Sequence, residues 1–172
     1  DGHYGDFIVL GRDRPEGIHP AAMCYGPKGH TGATSIDLVV GRNSAAFPGG
    51  TKLENEEGEA FSVNSNFKTD AARIYISQKT DVDDNFGLCD GEVGKSKSKS
   101  AIALKADGLR LIAREGIKLI TRTDENNSQG GPIKSVVGID LIAGNDDEDL
   151  QPFAKGDNLV LCLQRIVHHM DK

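Results

Sequence analysis

Short aliphatic runs that end in glycine and a polar residue recur along the chain. Three of them span Ile8–Arg12, Leu38–Arg42 and Leu141–Asn145, and the segment Ala72–Ser77 alternates apolar with polar positions. Runs of this length closed by a turn residue are typical of short strands. Since no amphipathic helix of useful length precedes residue 150, the pattern predicts a mainly β body over residues 1–150, with long loops between the strands.

An eight-residue repeat follows residue 106. The unit Asp107–Ile112 returns as Glu115–Ile120, and each unit begins with an acidic residue and a glycine, which suit a tight turn. In each unit two aliphatic residues flank a basic one: Leu109, Leu111, Ile117 and Leu119. Because such short strands cannot bury both faces alone, the repeat predicts a hairpin meander or one edge of a β-helical prism. Either arrangement needs partner strands, from the same chain or from identical ones.

The C-terminal segment, residues 151–172, changes to a helical pattern. Gly156 precedes Asp157, which is a good N-cap candidate. The spacing of four apolar residues is 4, 3, 4, as in the a/d seam of a coiled coil: Leu159, Leu163, Ile166 and Met170. Isolated helices of this length are marginal in water, so the helix must pack on something. We expect copies of itself, in a homotrimer rather than a dimer; the alternative is a lone helix that caps its own sheet.

Composition and charge narrow the class of protein. Aromatic residues make up 5% and apolar residues 37% of the chain, and tryptophan is absent, which favours a thin, aliphatic β protein. The net charge is −6, yet residues 91–122 hold eight basic and three acidic residues, so the remainder is strongly acidic. Nucleic-acid binding is not expected, because phosphate contacts need a basic footprint. No apolar run is long enough to predict a membrane span.

Reactive chemistry is hard to find in the sequence. The cysteines Cys24, Cys89 and Cys162 are far apart and form no C-x-x-C pair, so reduced thiols are expected. The segment Gly26–Gly32 lacks the Lys-Ser or Lys-Thr of a phosphate loop, and the histidines have no metal-ligand spacing. No catalytic motif is legible, and the sequence therefore predicts neither an enzyme nor a bound cofactor.

One acidic segment has the spacing of a calcium loop. Positions 1, 3, 5 and 12 of that loop would be filled by Asp81, Asp83, Asn85 and Glu92. Position 6, where glycine makes the sharp turn, is Phe86, and the preceding segment reads as a strand rather than a helix. A solvated acidic turn is the preferred interpretation, with calcium as the weaker one. A third interpretation assigns Asp81, Asp83, Asp84 and Glu92 to a glycan site, although the chain has few aromatics to stack on sugars.

Four segments spread over the chain resemble a family of virion structural proteins from tailed phages of aquatic and marine bacteria. They are SIDLVVGR (35–42), DAARIYISQKTDVDDNFGL (70–88), KADGLRLIAREGIKLIT (105–121) and KGDNLVLCLQRIV (155–167). The repeat also resembles the β-helical stems of contractile-tail and type VI secretion spikes, in which three chains wind into a prism. Those stems are longer than the two or three units present here.

The resemblance implies a non-enzymatic virion protein in a spike-like homotrimeric tail or baseplate assembly, in contact with other virion proteins. A capsid decoration or cement protein is the first alternative, with the loop Pro15–Gly32 gripping a shell lattice. A receptor- or polysaccharide-binding module is the second. None of these involves a catalytic residue, and the residues expected to matter are those of the repeat and of the helix seam.

Overall fold

The computed structural model describes residues 5–12, 33–46, 48–50 and 66–170, and shows a small, mostly β protein. Four strands, β1 (Phe7–Arg12), β2 (Thr34–Val40), β3 (Ala72–Thr80) and β4 (Lys99–Lys105), form one open antiparallel sheet in the order β1-β2-β3-β4. A 3-10 turn spans Ser44–Ala46, a short helix α1 spans Val82–Phe86, and the longer helix α2 spans Gly156–Met170. The predicted β body and C-terminal helix are confirmed at this level.

Strand register divides the side chains between two faces of the sheet. On the face that carries the core, Val39 of β2 lies opposite Arg73 of β3, and Asp37 lies opposite Tyr75. Tyr75 packs edge-on against Phe67 at 5.0 Å between ring centroids, and Phe67 packs in the same way against Phe86 of α1 at 5.1 Å. Alternation of side chains along each strand therefore puts an aromatic and polar core on one face and leaves the other face to aliphatic residues.

A buried ion network lies at the centre of this core. The Arg73 side chain is 0% exposed, and its Nη2 lies 2.9 Å from Oδ2 of Asp70, whose side chain is 1% exposed. Its Nε lies 3.1 Å from Oδ1 of Asp37. The Asp70 carboxylate also accepts backbone N–H groups of Asn43 at 2.8 Å and Asn66 at 3.0 Å. These bonds compensate the desolvation of the buried charges and tie the turn before β3 to the turn after β2.

Two further cations complete the network. The Arg42 guanidinium stacks over the Phe7 ring at 3.6 Å, and burial lowers the pKa of Arg42 while Asp70 and Asp37 act in the opposite direction. Lys105, at the end of β4, donates from Nζ to the carbonyl oxygens of Phe67 and Lys68, both at 2.6 Å. The end of the fourth strand is thereby fixed to the turn that closes the core.

Residues 106–155 form neither a strand nor a helix; an isolated bridge pairs Asn126 with Pro132. The prediction that Leu109–Leu111 and Ile117–Leu119 are strands is therefore wrong for the single chain, where neither segment pairs with a strand among the described residues. The predicted strand at Leu141 is likewise absent. Such segments become strands only when a neighbour accepts their hydrogen bonds, and the described residues place none beside them.

Helix α2 also differs in detail from the prediction. It begins at Gly156, and the Leu159 N–H donates to the Lys155 carbonyl at 3.0 Å. Asp157 consequently lies in the first helical turn instead of at the N-cap. A carboxylate there still interacts favourably with the positive end of the helix dipole.

Candidate assembly surface

Residues 106–122, which we call the arm, contain both repeat units and form neither a strand nor a helix. Every residue of the arm is exposed, including the aliphatic positions singled out by the repeat: Leu109, Leu111, Ile117 and Leu119, at 52–65%. Fixing an extended backbone costs roughly 1–2 kcal/mol per residue, and burial of apolar side chains normally offsets that cost. These aliphatic side chains stay more than half exposed, so contacts with the described residues offset little of that cost.

Both ends of the arm are fixed to the sheet. At its start, Lys105 makes the two short carbonyl contacts described above. Beyond its end, a small hairpin closes through the Ile133 N–H and the Glu125 carbonyl at 2.8 Å. That hairpin returns to β4, where the Ser128 hydroxyl oxygen accepts the Ser100 N–H at 3.0 Å. The arm is thus a tethered loop whose path is set at both ends.

A second attachment, which we call the clasp, holds residues 140–147 to the loop 87–93. Asp147 accepts the Gly91 N–H at 2.7 Å, and Asp140 accepts the Val93 N–H at 2.8 Å. Asn145 bonds in both directions, accepting the Cys89 N–H and donating to the Gly87 carbonyl, each at 2.9 Å. Gly91 has φ +58°, and a Cβ there would lie 2.3 Å from the Asp140 carboxylate, so the clasp needs glycine at this position.

The clasp reveals a third repeat unit that sequence reasoning missed. Gly138–Ala143 reads GIDLIA, and Gly108–Ala113 reads GLRLIA, so only two of six positions differ. The hairpin between the arm and residue 138 breaks the eight-residue spacing and hides the match. An alignment of each Gly-aliphatic-x-Leu-Ile phrase, without a fixed period, would have found it.

Helix α2 presents its apolar seam to solvent along its whole length. The predicted seam residues Leu159, Leu163, Ile166 and Met170 are 49–79% exposed, and no residue of the helix is buried. With these as d, a, d and a of a heptad, Val160 and Val167 fall at successive e positions and are exposed as well. An apolar face of a, d and e positions is wider than the seam of a two-stranded coiled coil.

The acidic segment at residues 81–92 is engaged in local hydrogen bonds. Asp81 Oδ1 accepts the Ser98 N–H at 2.7 Å, and Asp83 Oδ2 accepts the Ser96 N–H at 2.6 Å. The Asn85 amide donates to the Thr80 hydroxyl at 2.9 Å. Among the described residues no three His, Cys, Asp or Glu side chains are grouped to hold a metal ion. Asp81, Asp83 and Asn85 therefore lie at the N-cap of α1 or within α1. The two carboxylates bind the backbone of the loop that precedes β4.

Lys95 and two of the cysteines lie near this acidic segment or on α2. Lys95 bridges Asp84 and Asp90 at 3.3 Å each, and these hydrogen bonds raise the pKa of Lys95. Cys89 and Cys162 are free thiols, and desolvation followed by the charge of Asp147 raises the pKa of Cys89. The whole loop Pro15–Gly32, which includes Cys24 and Gly26–Gly32, lies outside the described residues.

Comparisons with protein-family models, with curated proteins and with solved structures find no significant match to this chain. Within the described part of the chain, no helix is both long and apolar enough to cross a membrane. The arm, the clasp and the helix seam must accordingly be interpreted from their own geometry.

Proposed function

We propose that this protein is a non-enzymatic structural subunit that assembles as a homotrimer in a phage virion, within a spike-like part of the tail or baseplate. The observation that supports this most directly is that the aliphatic repeat residues of the arm and the seam residues of α2 are exposed to solvent, whereas the core residues of the sheet are buried. Contiguous exposed apolar surface of this extent is typical of assembly interfaces.

The central pair of seam residues favours three or more chains over two. Leucine at a with isoleucine at d shifts parallel coiled coils from dimers to trimers and tetramers, and Leu163 at a with Ile166 at d follows this rule, whereas the outer positions are Leu159 at d and Met170 at a. Three helices around one axis place three tethered arms around the same axis. Each arm then gains a neighbour that can accept its strand hydrogen bonds, which gives a short β-prism above the helices.

A structural role also agrees with how the chain uses its carboxylates. Asp81, Asp83, Asp140 and Asp147 all accept backbone N–H groups at 2.6–2.8 Å and so hold loops in place. Bonds of this kind from an ionised acceptor are among the stronger hydrogen bonds in proteins. Two of the calcium and glycan candidates, Asp81 and Asp83, therefore hold the loop that precedes β4.

Placement in a virion rests on the four segments that resemble phage structural proteins. The test is to raise an antibody against the purified chain and label intact particles of the virus that encodes it, with electron microscopy as the readout. We expect gold at the end of the tail. Gold distributed uniformly over the head would replace the spike assignment with a capsid decoration protein. If mass spectrometry of purified particles does not detect the chain, the virion assignment is overturned.

A further inference from the structure

The face of the sheet opposite the core is aliphatic on all four strands and is uncovered. In one row across the sheet, hydrogen-bonded register aligns Ile8, Leu38, Ile74 and Leu104; in the next it aligns Leu10, Ile36, Ile76 and Ile102. All eight residues are exposed in the single chain. We call these two rows the aliphatic face.

This arrangement is the reverse of an ordinary one-sided sheet. Antiparallel sheets commonly direct apolar residues to the core and polar residues to solvent. Here the core face carries Asp37, Arg73 and Ser77, which are engaged in ion pairs or otherwise bonded, while the outward rows hold no polar residue. An uncharged, eight-residue aliphatic surface in the middle of a sheet is typical of a surface that another molecule covers.

We propose that the aliphatic face packs against the aliphatic faces of the other copies of this chain, so that three sheets enclose a common axis. This inference rests on the proposed homotrimer and adds to it a third interface, separate from the arm and from α2. The sheet would then be the largest part of the trimer core, with the polar and aromatic face of each sheet turned outward under its loops.

The direct connection between the aliphatic face and the arm indicates that other copies of this chain cover the aliphatic face. The edge strand β4 contributes Ile102 and Leu104 to the aliphatic face and runs directly into the arm at residue 106. Lys105 and the Ser100–Ser128 bond keep both ends of the arm at this strand. An arm that lies at a threefold axis therefore brings the β4 edge of its own sheet to that axis.

The helix brings the sheets together in the same way. The clasp fixes residues 140–147 beside the loop that precedes β4, and residues 148–155 then lead to α2. Eight residues span at most roughly 28 Å, so three associated helices hold three sheets within a short distance of one another. Tethering of this kind raises the effective concentration of the sheets for each other and favours self-association over capture of an unrelated partner.

The size of the surface also fits an interface between subunits. One partner in a specific interface contributes about 800 Å². Eight aliphatic residues, three of them more than 70% exposed, present an area of that order. A face without charge is complementary to itself, because no like charges meet when identical copies approach.

Hydroxyl-radical labelling of the intact, unmodified protein tests the inference. Ile8, Leu10 and Ile102 are 72–73% exposed in the single chain, and Leu88, in the loop after α1, is 44% exposed. If the faces pack together, these three residues should be modified at least several-fold more slowly than Leu88. In a protein of trimeric mass, modification faster than at Leu88 would overturn the aliphatic-face interface and leave the homotrimer intact. A monomeric mass would overturn the homotrimer itself.

A matched pair of variants gives an independent test. Leu104 and Leu88 are both leucines with 44% exposure, and only Leu104 belongs to the aliphatic face. We expect Leu104→Lys to raise the chain concentration at which the trimer dissociates by at least about tenfold, and Leu88→Lys to leave it unchanged. Equal effects of the two substitutions would contradict the inference. Far-UV circular dichroism checks that each variant keeps its β structure. If Leu104→Lys does not fold, the labelling of the unmodified protein is the deciding test.

Discussion

At the scale of single residues, the fold depends on a buried network of charged side chains. Most sheets have apolar side chains at the equivalent place. Arg73 is enclosed between Asp37 and Asp70, and Asp70 in turn accepts two backbone N–H groups. A buried ion pair of this kind contributes little net stability compared with well-packed apolar residues, yet removal of one partner is costly. The network therefore fixes the position of the turns around the core, and every member has to be present.

The Asp70→Ala substitution tests the network. It leaves the buried Arg73 guanidinium without one of its two carboxylates and two backbone N–H groups without their acceptor. We expect the free energy of unfolding to fall by about 3–5 kcal/mol, measured by urea denaturation at a fixed chain concentration. Asp90→Ala, which removes only an exposed partner of Lys95, is the control and should leave the urea midpoint unchanged. Similar midpoints for the two variants would show that the network is dispensable.

At the scale of elements, the arm and α2 are incomplete in the single chain. Among the described residues the arm has no partner strand, and α2 has an exposed apolar seam with no partner helix. Hydrogen bonds hold the two ends of the arm at β4, whereas α2 follows the clasp after residues 148–155. In the proposed homotrimer, the conformation of both elements would depend on assembly.

Trypsin provides a direct measure of whether the arm is covered. Four sites lie on it, Arg110, Arg114, Lys118 and Arg122, and all are exposed in the single chain. If the arms pair between copies, native protein should resist cleavage at these sites while the exposed loop site at Lys97 is cut. Dilution below the dissociation range should make the arm sites cleavable. Rapid cleavage of the arm in the concentrated native protein would mean that it is a free loop.

The helix seam is tested by substitution at its d position. Ile166→Ala removes apolar volume from each helix, so the loss is repeated in every copy of the seam. We expect the dissociation concentration measured by light scattering to rise by at least about tenfold. Arg165→Ala, one position away and outside the seam, serves as the matched control and should leave the mass at a given concentration unaltered. An unaffected Ile166→Ala protein would show that α2 does not hold the copies together.

At the scale of the whole molecule, three uncovered apolar surfaces follow one another along the chain. The aliphatic face, the arm and the helix seam follow one another along the sequence, and hydrogen bonds fix the hairpin after the arm to β4 and the clasp to the loop 87–93. The single chain encloses an aromatic and charged core and leaves most of its aliphatic side chains outside it. In the proposed homotrimer this hydrocarbon surface would be buried between the subunits.

The sequence predicts part of this organisation from residue patterns alone. Alternation at Ala72–Ser77 and the 4-3-4 spacing of α2 identify β3 and the helix, because each pattern extends over the whole element. The arm resembles a strand for the same reason, but strand pairing depends on a neighbour that lies outside the pattern. The polar core was not predictable, since Asp37, Arg73 and Asp70 are read as surface residues until the fold brings both carboxylates to the Arg73 guanidinium.

The most direct test of the homotrimer is the absolute mass in solution, by light scattering, of the intact chain and of a chain that ends before Gly156. We expect the intact chain to have three times the mass of its 18.4 kDa subunit, and the shortened chain to dissociate at concentrations where the intact one does not. A monomeric mass for the intact chain at micromolar concentration, with its β structure retained, would contradict the homotrimer.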